Sequence, residues 1–192
     1  MPLEKEFAAL RLELSVKAKN GLDFIAAAGL VWAAIALVWA GPGSPTHKGF
    51  VTFFVGALTL PLGWGFSKVF RTTWALPHNP LQPLGLWLNF AQLFYFPFLI
   101  FIYGSHPAYF IMTYGIITGA HFFPYAWFYD APPFAVMAGV ISVGCLFIGL
   151  RTAATAPYWV PVFLVGALLV LGAWLFRSYR QHQKAALLPM AN

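Results

Sequence analysis

The sequence predicts an all-α polytopic membrane protein, a six-transmembrane-helix bundle with a short N-terminal amphipathic helix. Three observations predict it. Hydrophobic residues make up 60% of the 192-residue chain and charged residues only 8%, against about 25% charged in soluble domains. The few charges separate long uncharged stretches, of which 24–47, 49–67, 131–150 and 152–176 each fit one crossing, since a bilayer core takes about 20 apolar residues. The stretch 72–129 holds two crossings, broken by YGSHP at 103–107. Alternating strand patterning is absent, and the segments are about twice as long as barrel strands.

The first element is segment 1–21. MPLEKEFAALRLELSVKAKN mixes charges of both signs before any apolar core, which is not the pattern of a signal peptide. Phe7, Leu10 and Leu14 recur at helical spacing, so a helix lying on the membrane surface is expected. The spans follow at 22–40, 49–67, 84–103, 107–129, 132–150 and 157–176. Together they form one membrane domain, 22–176, ahead of a basic tail at 177–192.

Orientation follows from Lys and Arg placement. With the N-terminus inside, Lys5, Arg11, Lys17, Lys19, Lys68, Arg71, Arg177, Arg180 and Lys184 fall on the cytoplasmic side, against Lys48 and Arg151 outside. Both termini are therefore expected in the cytoplasm. The net charge of +6 reports this asymmetry rather than a nucleic-acid site. The single cysteine, Cys145, excludes an intrachain disulfide. No nucleotide-binding loop or His/Cys pair at metal-ligand spacing is present, so no metal and no cofactor are expected.

NPLQPLGLWLNFAQLFYFPFL at 79–99 and TGAHFFPYAWFYDAPPFAVMAGVISVG at 118–144 resemble a family of small six-pass bacterial membrane proteins known as a domain of unknown function. The resemblance runs nearly end to end. It implies a bacterial inner-membrane origin and supplies no activity.

Function has to be read from residues that sit badly in lipid. Pro61, Pro97 and Pro124 each fall inside a span, where proline removes a donor and clashes with the carbonyl four residues back, kinking the helix. Such breaks are tolerated where a helix faces protein or a cavity. Asn89 and Gln92 share a face of the third span with Tyr95 close by, and Tyr114, Thr118, His121 and Tyr125 form a stripe along the fourth. Facing these stripes inward would let them bond one another or water rather than meet lipid unpaired. Asp130 is expected to pair with Lys68 or Arg71.

Trp87, Trp127 and Trp159 suit interfacial anchoring, or the aromatic runs line a pocket. Gly139, Ser142, Gly144, Gly149, Gly166 and Gly172 permit close approach of the fifth and sixth spans, or of a second copy in a homo-oligomer. VGALTLP at 55–61 echoes AGVISVG at 138–144, which would fit the three-plus-three inverted repeat of many transporters. The favoured expectation is a transporter or channel moving a small solute, protons or monovalent ions through a central polar and aromatic cavity. Membrane lipids are its surroundings. The alternatives are an intramembrane lipid-modifying enzyme or hydrolase with His121 as base beside Thr118, and an accessory protein binding lipid.

Overall fold

The computed structural model describes residues 2–187. Its helices are α1 (Pro2–Lys17), α2 (Leu22–Ala40), α3 (Pro45–Ala57), α4 (Thr59–Phe70), α5 (Gln82–Leu93), α6 (Phe96–Ser105), α7 (Phe110–His121), α8 (Phe123–Phe128), α9 (Pro133–Thr152) and α10 (Trp159–Leu187). No strand occurs among the described residues. Five helical runs, Lys19–Ala40, Pro45–Phe70, Gln82–Ser105, Pro133–Thr152 and Trp159–Leu187, are long and apolar enough to cross a membrane. The chain is an all-α membrane bundle.

The segment expected as one helix over 107–129 is a 3₁₀ turn followed by α7 and α8, separated at Phe122. It still returns the chain from one end of the bundle to the other. Phe110 rings lie against Phe53 and Tyr103 at the far end, while Asp130 meets α1 at the near end.

Three interruptions share one cause. The helices break at Leu58, at Phe94–Tyr95 and at Phe122, two or three residues ahead of Pro61, Pro97 and Pro124. At each break the backbone tightens to 3₁₀-type bonds: Leu58 to Val55, Phe94 to Ala91, and Phe122 to Gly119. The prolines thus stand in the first turn of α4, α6 and α8, where no donor is required of them. The echo of 55–61 at 138–144 is not matched in conformation, because α9 runs unbroken through its copy.

Helix α10 packs against α2, α9, α1 and α7, while α9 also packs on α7 and α8, and α2 on α4. Leu164, Leu168, Leu171 and Leu175 recur every three or four residues on α10, all 2% exposed or less, which makes one helical face wholly internal. Within lipid, close packing rather than water exclusion holds helices together, and α9 shows how. A Cβ at Gly115 or Gly119 of α7 would come 2.7 Å from Cys145 Sγ or Ile141 Cγ2 of α9, and one at Gly144 would strike Phe163 of α10. The small residues anticipated on the fifth span serve contacts within the chain at Gly144 and Gly149, whereas Gly139 and Gly166 face open space.

Within the basic tail expected at 177–192, segment 177–187 continues α10, with Ser178 and Tyr179 buried; residues 188–192 lie outside the described residues. Helix α1 packs along it. Leu14 is buried to 3% exposure while Phe7 stays exposed, so α1 is docked on protein through its C-terminal half. The span formed by α5 and α6 is the opposite case. Leu99 is buried and Leu84, Leu88 and Tyr103 pack against the core, but most of its other large side chains, Trp87, Phe94 and Phe101 among them, are exposed.

Candidate functional site

The densest polar constellation lies at the end of the bundle where α1, the 71–81 connection, the α8–α9 junction and the end of α10 meet. It begins with a left-handed turn: Lys19, Asn20 and Gly21 have φ of 49°, 54° and 68°. Non-glycine residues pay for that conformation, and the turn is pinned on both sides. Lys19 Nζ donates to the Phe70 carbonyl at 2.6 Å, and Asn20 Nδ2 donates to the Leu175 carbonyl at 3.3 Å.

Asp23, in the first turn of α2, is 1% exposed. Its Oδ2 accepts from Thr72 Oγ1 at 2.5 Å and Trp74 Nε1 at 2.7 Å, and its Oδ1 accepts from the Phe24 backbone at 2.9 Å. A buried carboxylate persists because donors surround it. The Trp74 ring stacks on Phe24 at 4.8 Å, which seals it from outside.

Helix α1 closes this end. Arg11 reaches Asp130 and the Trp127 carbonyl. Ser15 donates to the Tyr129 carbonyl. Asn79 Nδ2 donates to the Leu10 carbonyl at 3.0 Å and to Glu13 Oε2 at 2.9 Å. His78 Nε2 lies 2.7 Å from Glu13 Oε1, and this bond holds the Glu13 carboxyl below its ordinary value, with help from Asn79. Asp130 therefore pairs with Arg11, not with Lys68 or Arg71, because docking brings α1 nearer than the end of α4.

A buried line of side chains runs inward from this cap. The Tyr129 ring lies over the left-handed turn, so that a Cβ at Gly21 would be 3.4 Å from its Cε2 and 3.6 Å from its hydroxyl. Tyr125 stacks on Tyr129 at 6.0 Å between centroids, and His121 meets Tyr125 edge-on at 5.3 Å. Further along, Thr118 is buried and donates to the Tyr114 carbonyl at 2.9 Å. Tyr114 packs on Trp32 at 5.2 Å, with its hydroxyl beside Gly56 at the α3–α4 break. Among the described residues, three polar atoms at this end are buried without a hydrogen-bond partner, the Tyr125 hydroxyl, Asn20 Oδ1 and His182 Nδ1.

The fourth-span stripe thus lies together on the inner side of α7 and α8. The third-span residues divide. Gln92 is half-buried, but Asn89 is exposed and donates to the Gly85 carbonyl of its own helix at 3.0 Å. Tyr95 is exposed as well. The facing of Asn89 and Tyr95 toward His121 is not found: Asn89 lies four residues from Gly85, on the side of α5 that meets Phe128, yet is exposed with its amide turned back onto the Gly85 carbonyl, and Tyr95 falls in the break after α5. The Thr118 hydroxyl donates to the Tyr114 carbonyl of its own helix. The sequence does not single out Asp23, Asn20, Ser15 or Tyr129 as site residues. Asp23 alone carried a signal there, as a carboxylate at the start of an apolar span.

No group of three or more His, Cys, Asp or Glu arranged to hold a metal occurs among the described residues. No curated protein and no solved structure matches the chain. Residues 7–178 match one family model, so this all-α membrane chain belongs to the family of unknown function DUF7010.

Proposed function

We propose that this protein conducts protons or monovalent ions, or carries a small solute, across the bacterial inner membrane along the α7–α8 stripe, with both termini cytoplasmic. The observation that carries the reading is the Tyr125 hydroxyl, buried between His121 and Tyr129 without a hydrogen-bond partner among the described residues. An unbonded buried hydroxyl costs about 1–3 kcal/mol, so water or a guest molecule completes the site. His121 makes ring contacts but no hydrogen bond among the described residues, and a protonatable group inside a membrane is a functional candidate by default.

The path has a continuation at the cap. Tyr129 leads to the left-handed turn and the Asp23 carboxylate, and the excess of Lys and Arg there supports a cytoplasmic position. Gln92 supports the other flank. Counting two turns back from the Gly85–Phe128 contact along both antiparallel segments brings Gln92 to the level of His121.

Reconstitution in liposomes tests this. Proton and monovalent-ion flux is expected in the parent, reduced at least about tenfold by His121→Ala and Tyr125→Phe if each removes one step of the path. Asn89→Ala, on the outer surface, is expected to leave flux unchanged. Absence of flux in the folded parent overturns ion passage.

A further inference from the structure

The end of the bundle opposite the cap carries a groove that the proposed path does not use. It lies between the end of α9 and the start of α10, lined by Phe147, Ile148, Arg151, Thr152, Trp159, Val162 and Phe163, with a volume of about 610 Å³. Its walls are apolar and its mouth is cationic. Phe147 and Val162 are exposed toward the membrane, whereas Phe163 is wedged against Gly144 and forms the floor.

The charge at the mouth is unpaired. All five acidic residues fall in segments at the cap end, namely Glu4, Glu6, Glu13, Asp23 and Asp130. Of the two cations at the far end, Lys48 donates to the Trp39 carbonyl at 3.0 Å. Arg151 is exposed and has no hydrogen-bond or ion-pair partner among the described residues. Thr152 donates inward to the Ile148 carbonyl at 2.7 Å, so the donors left at the mouth are the Arg151 guanidinium and the Trp159 indole. A planar guanidinium suits a phosphate's paired oxygens. An indole suits the headgroup boundary.

We infer that this groove is a binding site for one anionic phospholipid, its phosphate on Arg151 and one acyl chain along Phe147, Ile148, Val162 and Phe163. Charge complementarity selects the occupant. A cation with no acidic partner at the mouth of an apolar groove matches a molecule that is anionic at one end and hydrocarbon along the other. A second copy of this chain would have to bring an acidic residue to the far end, where none lies.

The test uses Trp159 as the reporter. The full chain is placed in nanodiscs containing phosphatidylcholine doped with phosphatidylglycerol whose acyl chains are brominated, and the quenching of Trp159 is read as the difference between the parent and Trp159→Phe. The same discs with brominated phosphatidylcholine give the reference. Brominated phosphatidylglycerol is expected to quench at about one fifth of the concentration needed for brominated phosphatidylcholine, the factor appropriate to one cation facing an anionic headgroup. Arg151→Gln is expected to abolish that preference, Arg151→Lys to keep most of it, and Lys48→Gln to leave it intact. Equal quenching by both lipids in the parent overturns the inference. So does a preference that survives Arg151→Gln, since the lipid would then be held elsewhere, and so does loss of quenching when Trp159→Phe protein is co-reconstituted in excess in the same discs, the mark of a second copy in the groove.

Discussion

Arg11 Nη2 donates to Asp130 Oδ1 at 2.7 Å, joining the first helix to the end of α8 across 119 residues of chain. The same guanidinium donates through Nε to the Trp127 carbonyl at 2.6 Å and lies 5.0 Å from the Trp127 ring. Asp130 is 62% exposed, so the ion pair itself contributes at most about 1 kcal/mol. The carbonyl bond and ring contact add to it. Asp130→Asn is therefore expected to be nearly neutral, and Arg11→Ala to release α1. Amide hydrogen exchange over residues 5–16 checks this, with a clear rise expected in the arginine variant alone.

The Glu13–His78 contact makes α1 docking sensitive to acid. The imidazole and the Asn79 amide hold Glu13 below the ordinary glutamate value of 4.5. A carboxyl depressed in the folded state contributes stability that is complete above its unfolded value and is lost as pH falls through the folded one. Proteolysis of α1 is thus expected to accelerate only below about pH 4.5, and Glu13→Gln to make it faster already at neutral pH. An unchanged neutral rate in that variant would remove the contact from the docking account.

Asp23 organises three donors from inside the protein. Asp23→Ala leaves Thr72 Oγ1 and Trp74 Nε1 without their acceptor, and hydrogen bonds to a charged group contribute about 1.5–3 kcal/mol each. The expected loss is about 2–4 kcal/mol in unfolding from detergent micelles. Trp74 fluorescence should shift in step, because its ring would no longer be held against Phe24.

Glycine contacts on α9 separate close packing from open surface. At Gly149 an added Cβ would lie 2.5 Å from Met112 Cβ, an atom that cannot swing aside, whereas at Gly139 nothing lies within 4 Å. Gly149→Ala is expected to destabilise by about 1–3 kcal/mol through overpacking, and Gly139→Ala to be neutral or slightly stabilising. Thermal denaturation of the two variants side by side measures the difference.

Much of this molecule was present in one dimension. The charge gaps located five helical runs to within four residues at every end but the last, where α10 continues to Leu187, because lipid requires long uncharged helices and the chain supplies little else. The prolines marked the helix interruptions, since a missing donor acts locally. The i, i+3, i+4 rule brought Tyr114, Thr118, His121 and Tyr125 onto one stripe for the same reason. Rotation of a helix about its axis is not local. Which part of α5 meets the bundle was decided by the contact of Gly85 with Phe128, between segments 43 residues apart (128 minus 85), and Asn89 and Tyr95 beyond it are exposed. The partner of Asp130, the burial of Asp23 and the docking of α1 were likewise decided by assembly, where geometry between distant segments chooses among several cations and donors that sequence offers equally.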